Sequence, residues 1–211
     1  MGNSDEAKLG NKVYAIGNPL GYELQRTVTS GIISGVNRTI KIEEENKKTY
    51  LEGLIQTDAT INEGNSGGAL INESGEVLGI TTLKIEESEG IGFAIPINII
   101  KPIIKKLNET GKFEEPYIGI YGYDKEATQY LSEGIQIERG IYIEEIDKTG
   151  PLRNSGIQTG DILEEIDNTK VETMNGLKEY IYNKNIGDEV TLTIKRNKTQ
   201  LKITIKLEKL R

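Results

Sequence analysis

The chain has 211 residues, with 33 acidic against 26 basic side chains, a formal charge of −7, and neither histidine nor cysteine. That charge argues against a nucleic-acid binder, because the phosphate backbone rewards a basic face. The two missing residue types exclude disulfides, thiolate metal sites and a cysteine nucleophile, and would leave a zinc ion only carboxylates, so no metal or cofactor is implied.

The length allows one or two domains, and 24 glycines against 5 prolines favour many turns over coiled coil or disorder. The acidic runs Glu43–Glu45 and Glu86–Glu87 read as solvated loops. No signal peptide or membrane span is visible. In chain order, Val13–Ile16 is an apolar strand ending at the turn signal Gly17-Asn18-Pro19-Leu20-Gly21. Thr27–Ser34 is rich in β-branched residues, Lys41–Lys48 reads as a polar, mobile loop, and Leu54–Thr57 is a further strand. Ala69–Ile71 and Val77–Leu83 flank Asn72-Glu73-Ser74-Gly75, a hairpin turn, and Gly90–Pro96 is a last short strand. Regular short strands of this kind predict a small antiparallel barrel.

The texture then changes. Ile99, Ile100, Ile103, Ile104 and Leu107 recur at helical spacing within Ile97–Leu107, and the helix should stop near Asn108–Gly111. Thr110-Gly111-Lys112 is the expected linker. Beyond it, a helix is predicted around Asp124–Leu131, and strands at Gly140–Glu145, Ile162–Ile166, Glu189–Arg196 and Gln200–Leu207. Asn175–Tyr182, with Leu177, Tyr180 and Ile181 on one side, reads as another helix. The fold class is therefore mainly β with a few helices, divided into residues 1–110 and 113–211.

Chemistry concentrates at Gly64-Asn65-Ser66-Gly67-Gly68. Attack on an amide carbonyl creates a negative oxygen, and two backbone N–H groups aimed at it stabilise it. Glycines permit the turn that aims them, because positive φ costs glycine little. Three other readings compete: a plain glycine turn, a phosphate nest, and the nucleophile elbow of an α/β-hydrolase. No lysine follows at phosphate-loop spacing. The elbow needs a helix after the serine and a histidine beyond, whereas Ala69-Leu70-Ile71-Asn72 is strand-like and the chain has no histidine.

Asp5, Gly17-Asn18-Pro19, Thr29-Ser30-Gly31, Gln56-Thr57-Asp58-Ala59, Gly64–Leu70 and Gly90–Pro96 occur in the order and spacing of the HtrA/Do serine proteases, which the chain resembles over nearly its whole length. The resemblance implies the second six-stranded barrel of a chymotrypsin-like protease followed by a PDZ domain. It implies Ser66 as nucleophile and Gly64, Asn65 and Ser66 as the oxyanion loop, with the amides of Gly64 and Ser66 as donors. Ile61-Asn62-Glu63 and Thr81-Thr82-Leu83 would line the substrate pocket and main-chain track, with small aliphatic side chains preferred. The family's histidine and aspartate come from a first barrel that these residues do not include. The expectation is a shortened chain that is inactive by itself, because serine needs a base. An apolar face that the first barrel would cover should then drive self-association or leave the serine loop disordered.

From about residue 113, Tyr117-Ile118-Gly119-Ile120, Gly150-Pro151-Leu152 and Ser155–Leu163 resemble a PDZ domain of the bacterial protease type. That implies a peptide adding as a strand to a sheet edge, its C-terminal carboxylate on loop amides. Tyr117, Ile118, Gly119 and Ile120 would form the carboxylate loop and pocket, with Leu177 and Ile181 as the opposite wall. Gly156, Gly160 and Asp161 read as fold-forming turn residues. The implied partners are unfolded proteins and peptide C-termini, in an extracytoplasmic setting compatible with an upstream membrane anchor. The alternative is a non-catalytic peptide-binding protein that kept half a protease, and the coding frame ahead of Met1 separates the two.

Overall fold

The computed structural model describes every residue except 19–25, 45–46, 63, 85–89, 129–134 and 211. Pro19–Gly21 of the glycine turn, Glu45, Glu63, Glu86–Glu87 and the end of the expected Asp124–Leu131 helix lie outside the described residues. The chain divides into two units, Met1–Lys101 and Pro102–Arg211. The division falls inside a helix, α1 (Ile97–Thr110), rather than at Thr110–Lys112.

In the first unit, β1 (Lys12–Gly17), β2 (Thr27–Glu44), β3 (Lys47–Thr57), β4 (Ala69–Asn72), β5 (Val77–Lys84) and β6 (Gly92–Pro96) close into an antiparallel barrel of order β1-β2-β3-β6-β5-β4. Alternation sets the inside: Val13 and Ala15 of β1 point in and pack with Ile33, Ile55, Leu70, Leu78 and Ala94. Register shifts along β2 and β3, between Ile33 and Ile40 on β2, bend this long pair as closure requires. The pair also corrects the loop expected at Lys41–Lys48. The ladder continues through Ile42↔Thr49, Glu43↔Lys48 and Glu44↔Lys47, because strand pairing is a backbone interaction that polar residues also make. The Asn72–Gly75 hairpin forms as expected, with Asn72 Oδ1 accepting from Ser74 N–H (3.0 Å) and Glu76 N–H (2.9 Å).

Because β3 and β4 are not neighbours, the link between them must cross one end of the barrel. That link, residues 58–68, carries the serine loop.

In the second unit β7 (Pro116–Tyr117) pairs with β14 (Glu208–Lys209). A sheet of order β13-β12-β10-β9-β8 is built from β8 (Ile120–Asp124), β9 (Ile141–Ile146), β10 (Ile162–Ile166), β12 (Glu189–Arg196) and β13 (Thr199–Lys206). The short β11 (Thr169–Lys170) pairs with β10. The helices are α2 (Lys125–Thr128) and α3 (Met174–Tyr182), the latter capped by the Thr173 hydroxyl, which accepts from Gly176 N–H at 3.0 Å. Leu177 and Ile181, one turn apart, bury the inner face of α3 against Ile141, Leu163 and Leu192. Gly156 (φ +78°) and Gly160 (φ +92°) make the turn before β10. Asp161, 2% exposed, pairs there with Arg196 through two 2.7 Å bonds.

Candidate functional site

The serine loop is a tight turn pinned on all sides. Gly68 N–H donates to Asn65 O (2.9 Å), closing the turn, and Gly64 (φ +91°) and Gly67 (φ +82°) take left-handed backbone that other residues resist. Asn18 N–H donates to Gly64 O (3.0 Å) and Asn65 N–H to Asn62 O (3.0 Å). The Asn65 side chain is 1% exposed, its Nδ2 donating to Thr60 O (3.3 Å) and its Oδ1 buried without a partner among the described residues. Gly17 makes room for it: a Cβ there would lie 2.5 Å from Asn65 Oδ1.

Ser66 is exposed, and its hydroxyl donates to Thr82 O at 2.7 Å. A main-chain carbonyl accepts this bond but cannot take the proton, so the hydroxyl is held un-ionised. Among the described residues, neither Gly64 N–H nor Ser66 N–H donates to an acceptor. Both expected oxyanion donors are therefore available at an exposed turn.

Beside the loop is a cavity of about 420 Å³ lined by Ala59, Thr60, Ile61, Asn62, Gly90, Ile91 and Gly92. The segment around Thr60 is fastened by Thr29 Oγ1 donating to Thr60 O (2.8 Å) and by Ala59 N–H donating to Thr57 Oγ1 (3.1 Å). Gly31 admits this approach, since a Cβ there would stand 2.3 Å from Ala59 N. Ile61 and Asn62, two of the residues named for the substrate pocket, line this cavity. Thr81 does not: it is buried, and its hydroxyl donates to Asn65 O. Thr82 meets Ser66 through its carbonyl, and Leu83 follows in β5 with its side chain outside the described residues. The wall formed by Gly90, Ile91 and Gly92 was missed. Its signal was the Gly-x-Gly spacing, and a Cβ at Gly92 would lie 2.5 Å from Ile61 Cγ1.

In the second unit, Tyr117-Ile118-Gly119-Ile120 forms the bend between β7 and β8. Gly119 (φ +84°) needs to be glycine for its backbone rather than for space, and its carbonyl accepts from Asp147 N–H at 3.0 Å. Among the described residues, Ile118 N–H and Gly119 N–H donate to no acceptor. Ile118, Ile120, Leu177 and Ile181 all belong to the buried core of this unit. The bend, β8 and α3 thus share one apolar seam, and β8 is the last strand of its sheet. Tyr117 and Tyr121 join hydroxyls at 2.9 Å; burial, then this bond, raises the Tyr117 hydroxyl far above its ordinary value. The hydroxyl and N–H of Thr149 hold the Asp147 carboxyl below its usual range. Burial raises Asp124, whose carboxylate accepts from Ala127 N–H at 3.0 Å.

Among the described residues, no group of three or more histidine, cysteine or acidic residues gathers to hold a metal ion, and no helix is long and apolar enough to cross a membrane.

Residues 1–80 match the model of a trypsin-like peptidase domain and residues 116–207 that of a PDZ domain. The Do-like serine protease HtrA of Bacillus subtilis (strain 168) is 41% identical over 218 residues, covering 99% of this chain and 48% of that protein. HtrB of the same organism is 39% identical over 206 residues, covering 93% and 45%. A solved HtrA-type protease with a tripeptide, a serine-to-alanine variant of AlgW, superposes with TM-score 0.63 at 30% identity, covering 100% of this chain and 69% of that one. The chain spans about half the length of the curated relatives it matches.

Proposed function

Because the chain belongs to the HtrA family of trypsin-like serine proteases and carries a PDZ domain behind its barrel, we propose that it is the nucleophile-bearing and peptide-binding part of a serine endopeptidase of protein quality control. Ser66 attacks the scissile carbonyl to form an acyl-enzyme, and the N–H groups of Gly64 and Ser66 receive the negative oxygen. The observation that carries the reading is the exposed turn at Ser66, with both amides meeting no acceptor among the described residues, beside a cavity open to a small apolar side chain. The substrates are unfolded or damaged proteins.

The base has to come from outside these residues, since the chain has no histidine. The chain alone is therefore expected to release nothing above blank from casein. An oxyanion turn without its base supports at most ~10³–10⁴ over water, far below a complete triad. Labelling of Ser66 by a fluorophosphonate at an ordinary protease rate would overturn this.

The second unit binds peptide C-termini. The peptide adds as a strand to the outer edge of β8, its carboxylate takes the Ile118 and Gly119 amides, and its last side chain enters between Ile120 and α3. A peptide with an apolar C-terminal residue is expected to bind more tightly than its amidated form. The margin is roughly tenfold or more, for the loss of a charge-assisted bond of about 1.5–3 kcal/mol. Equal affinities in fluorescence anisotropy would remove the carboxylate from the reading. Val28 and Ile32, exposed on β2, offer apolar surface through which the chain self-associates. The location is extracytoplasmic, in keeping with the relative from Rickettsia conorii described as a probable periplasmic DegP-like endoprotease.

A further inference from the structure

The serine turn is tied from beneath by two consecutive residues of β5. Thr81 N–H donates to Gly68 O (2.9 Å), Thr81 O accepts from Gly67 N–H (2.8 Å), and Thr82 O accepts from the Ser66 hydroxyl (2.7 Å). Any residue but proline at position 81 would make the backbone bonds. The remaining bond depends on the side chain: the Thr81 hydroxyl, on a residue 1% exposed, donates to Asn65 O and lies 3.1 Å from Gly68 O.

The acceptor matters. Asn65 O belongs to the peptide whose N–H is that of Ser66, and no peptide bond here is cis. In a planar trans peptide the C=O and N–H point to opposite sides. Holding Asn65 O toward Thr81 therefore sends Ser66 N–H away from Thr81, where it meets no acceptor among the described residues. The turn's own Gly68 N–H shares this acceptor, so the hydroxyl is a second, crosswise tie. The peptide on the other side of Ser66 is held by Thr81 as well, through Gly67 N–H. Two donors on one carbonyl also polarise its amide, making Ser66 N–H a better donor.

We propose that Thr81 is a positioning residue of the oxyanion site: its side-chain hydroxyl locks the Asn65–Ser66 peptide plane and so aims Ser66 N–H at the developing negative oxygen. The proposal rests on reading Ser66 as the nucleophile, but its test does not.

The test compares Thr81→Val, which keeps the shape and removes the hydroxyl, with Thr81→Ser, which keeps the hydroxyl. Residual dipolar couplings of backbone N–H vectors are measured on the whole ¹⁵N-labelled chain. In Thr81→Val the Ser66 coupling is expected to leave the value fitted by the barrel's alignment tensor, with exchange broadening at Ser66. Gly67 and the strands should stay in the fit, because their bonds are made by the backbone. Thr81→Ser is expected to restore the Ser66 value. A Ser66 coupling unchanged in Thr81→Val, or not restored by Thr81→Ser, overturns the proposal. If Thr81→Val does not fold, Thr81→Ala is read the same way. Failure of the nucleophile reading appears separately, as absence of Ser66 acylation once a base-bearing barrel is supplied, and leaves the amide measurement intact.

Discussion

Replacing Gly68 by alanine should displace the serine turn and loosen the barrel beneath it. The new Cβ would stand 2.0 Å from Ile16 O and 2.7 Å from Asn65 O. Both are backbone atoms, so no side chain can swing aside. Relief requires moving β1, whose Ile16 pairs with Val28 on one flank and with Ala69 on the other. Overpacking of this kind costs about 1–3 kcal/mol where side chains can adjust, and a backbone obstacle places this site at or above the upper end. Gly75→Ala is the control. Its φ is +76° but a Cβ there meets nothing within 4 Å, so only the roughly 1–2 kcal/mol of left-handed backbone strain applies. Urea unfolding followed at barrel amides should rank Gly68→Ala clearly below Gly75→Ala. Equal losses would mean that the close approach of β1 to the turn does not constrain it.

The largest effect in the second unit should follow Asp161→Ala. Asp161 accepts from Arg196 Nε and Nη2 and from Gln158 N–H (2.8 Å), while Arg196 Nη2 also reaches Gly156 O (2.7 Å). One carboxylate thus joins the turn at Gly156–Gly160 to β12 near its hairpin with β13. Removing it leaves the Arg196 guanidinium only Gly156 O and takes the carboxylate from the Gln158 N–H. Losing one partner of a buried pair costs about 3–5 kcal/mol, and the partial exposure of Arg196 lets water recover some of that, giving roughly 3 kcal/mol. Asp161→Leu combined with Arg196→Met should cost less than the sum of the single changes, because no charge is then left unpaired. A strictly additive double-mutant cycle, measured by denaturant unfolding of this unit, would show the pair to be uncoupled.

The sequence exposes some of this directly and hides the rest for definable reasons. Strands β10 and β12 fall at the predicted residues, and α3 within one residue; the helix buries Met174, Leu177 and Ile181 on one face and so writes a period into the chain. The outer half of the β2–β3 hairpin had no such pattern to read, and its pairing rests on backbone groups that every residue carries. At the site, the glycines around Ser66 were legible because left-handed backbone demands them. The scattered motifs turn out to converge: Gly17 and Asn18 meet the serine turn, and Thr29 and Thr57 fasten the segment ahead of it. What stayed hidden was orientation. Position on β5 does not say that Thr81 faces the turn with its hydroxyl while Thr82 meets Ser66 with its carbonyl. The Gly90–Gly92 wall reaches the cavity through the pairing of β6 with β3, which no local pattern announces.

The two units differ in how they leave their margins. The barrel closes β4 onto β1 and so has no unpaired strand, whereas the second sheet stops at β8. An unpaired margin is a template for any extended chain. The ladder between β8 and β9 shifts register at Tyr121–Gly122, where a Cβ on Gly122 would strike Tyr142 O at 2.3 Å. Such a kink twists the margin, so a guest strand keeps register over only a few residues from the Gly119 bend. On the peptide-binding reading proposed above, the irregularity that would shorten the grip on a peptide would also guard the protein against fibril-like stacking of its own copies.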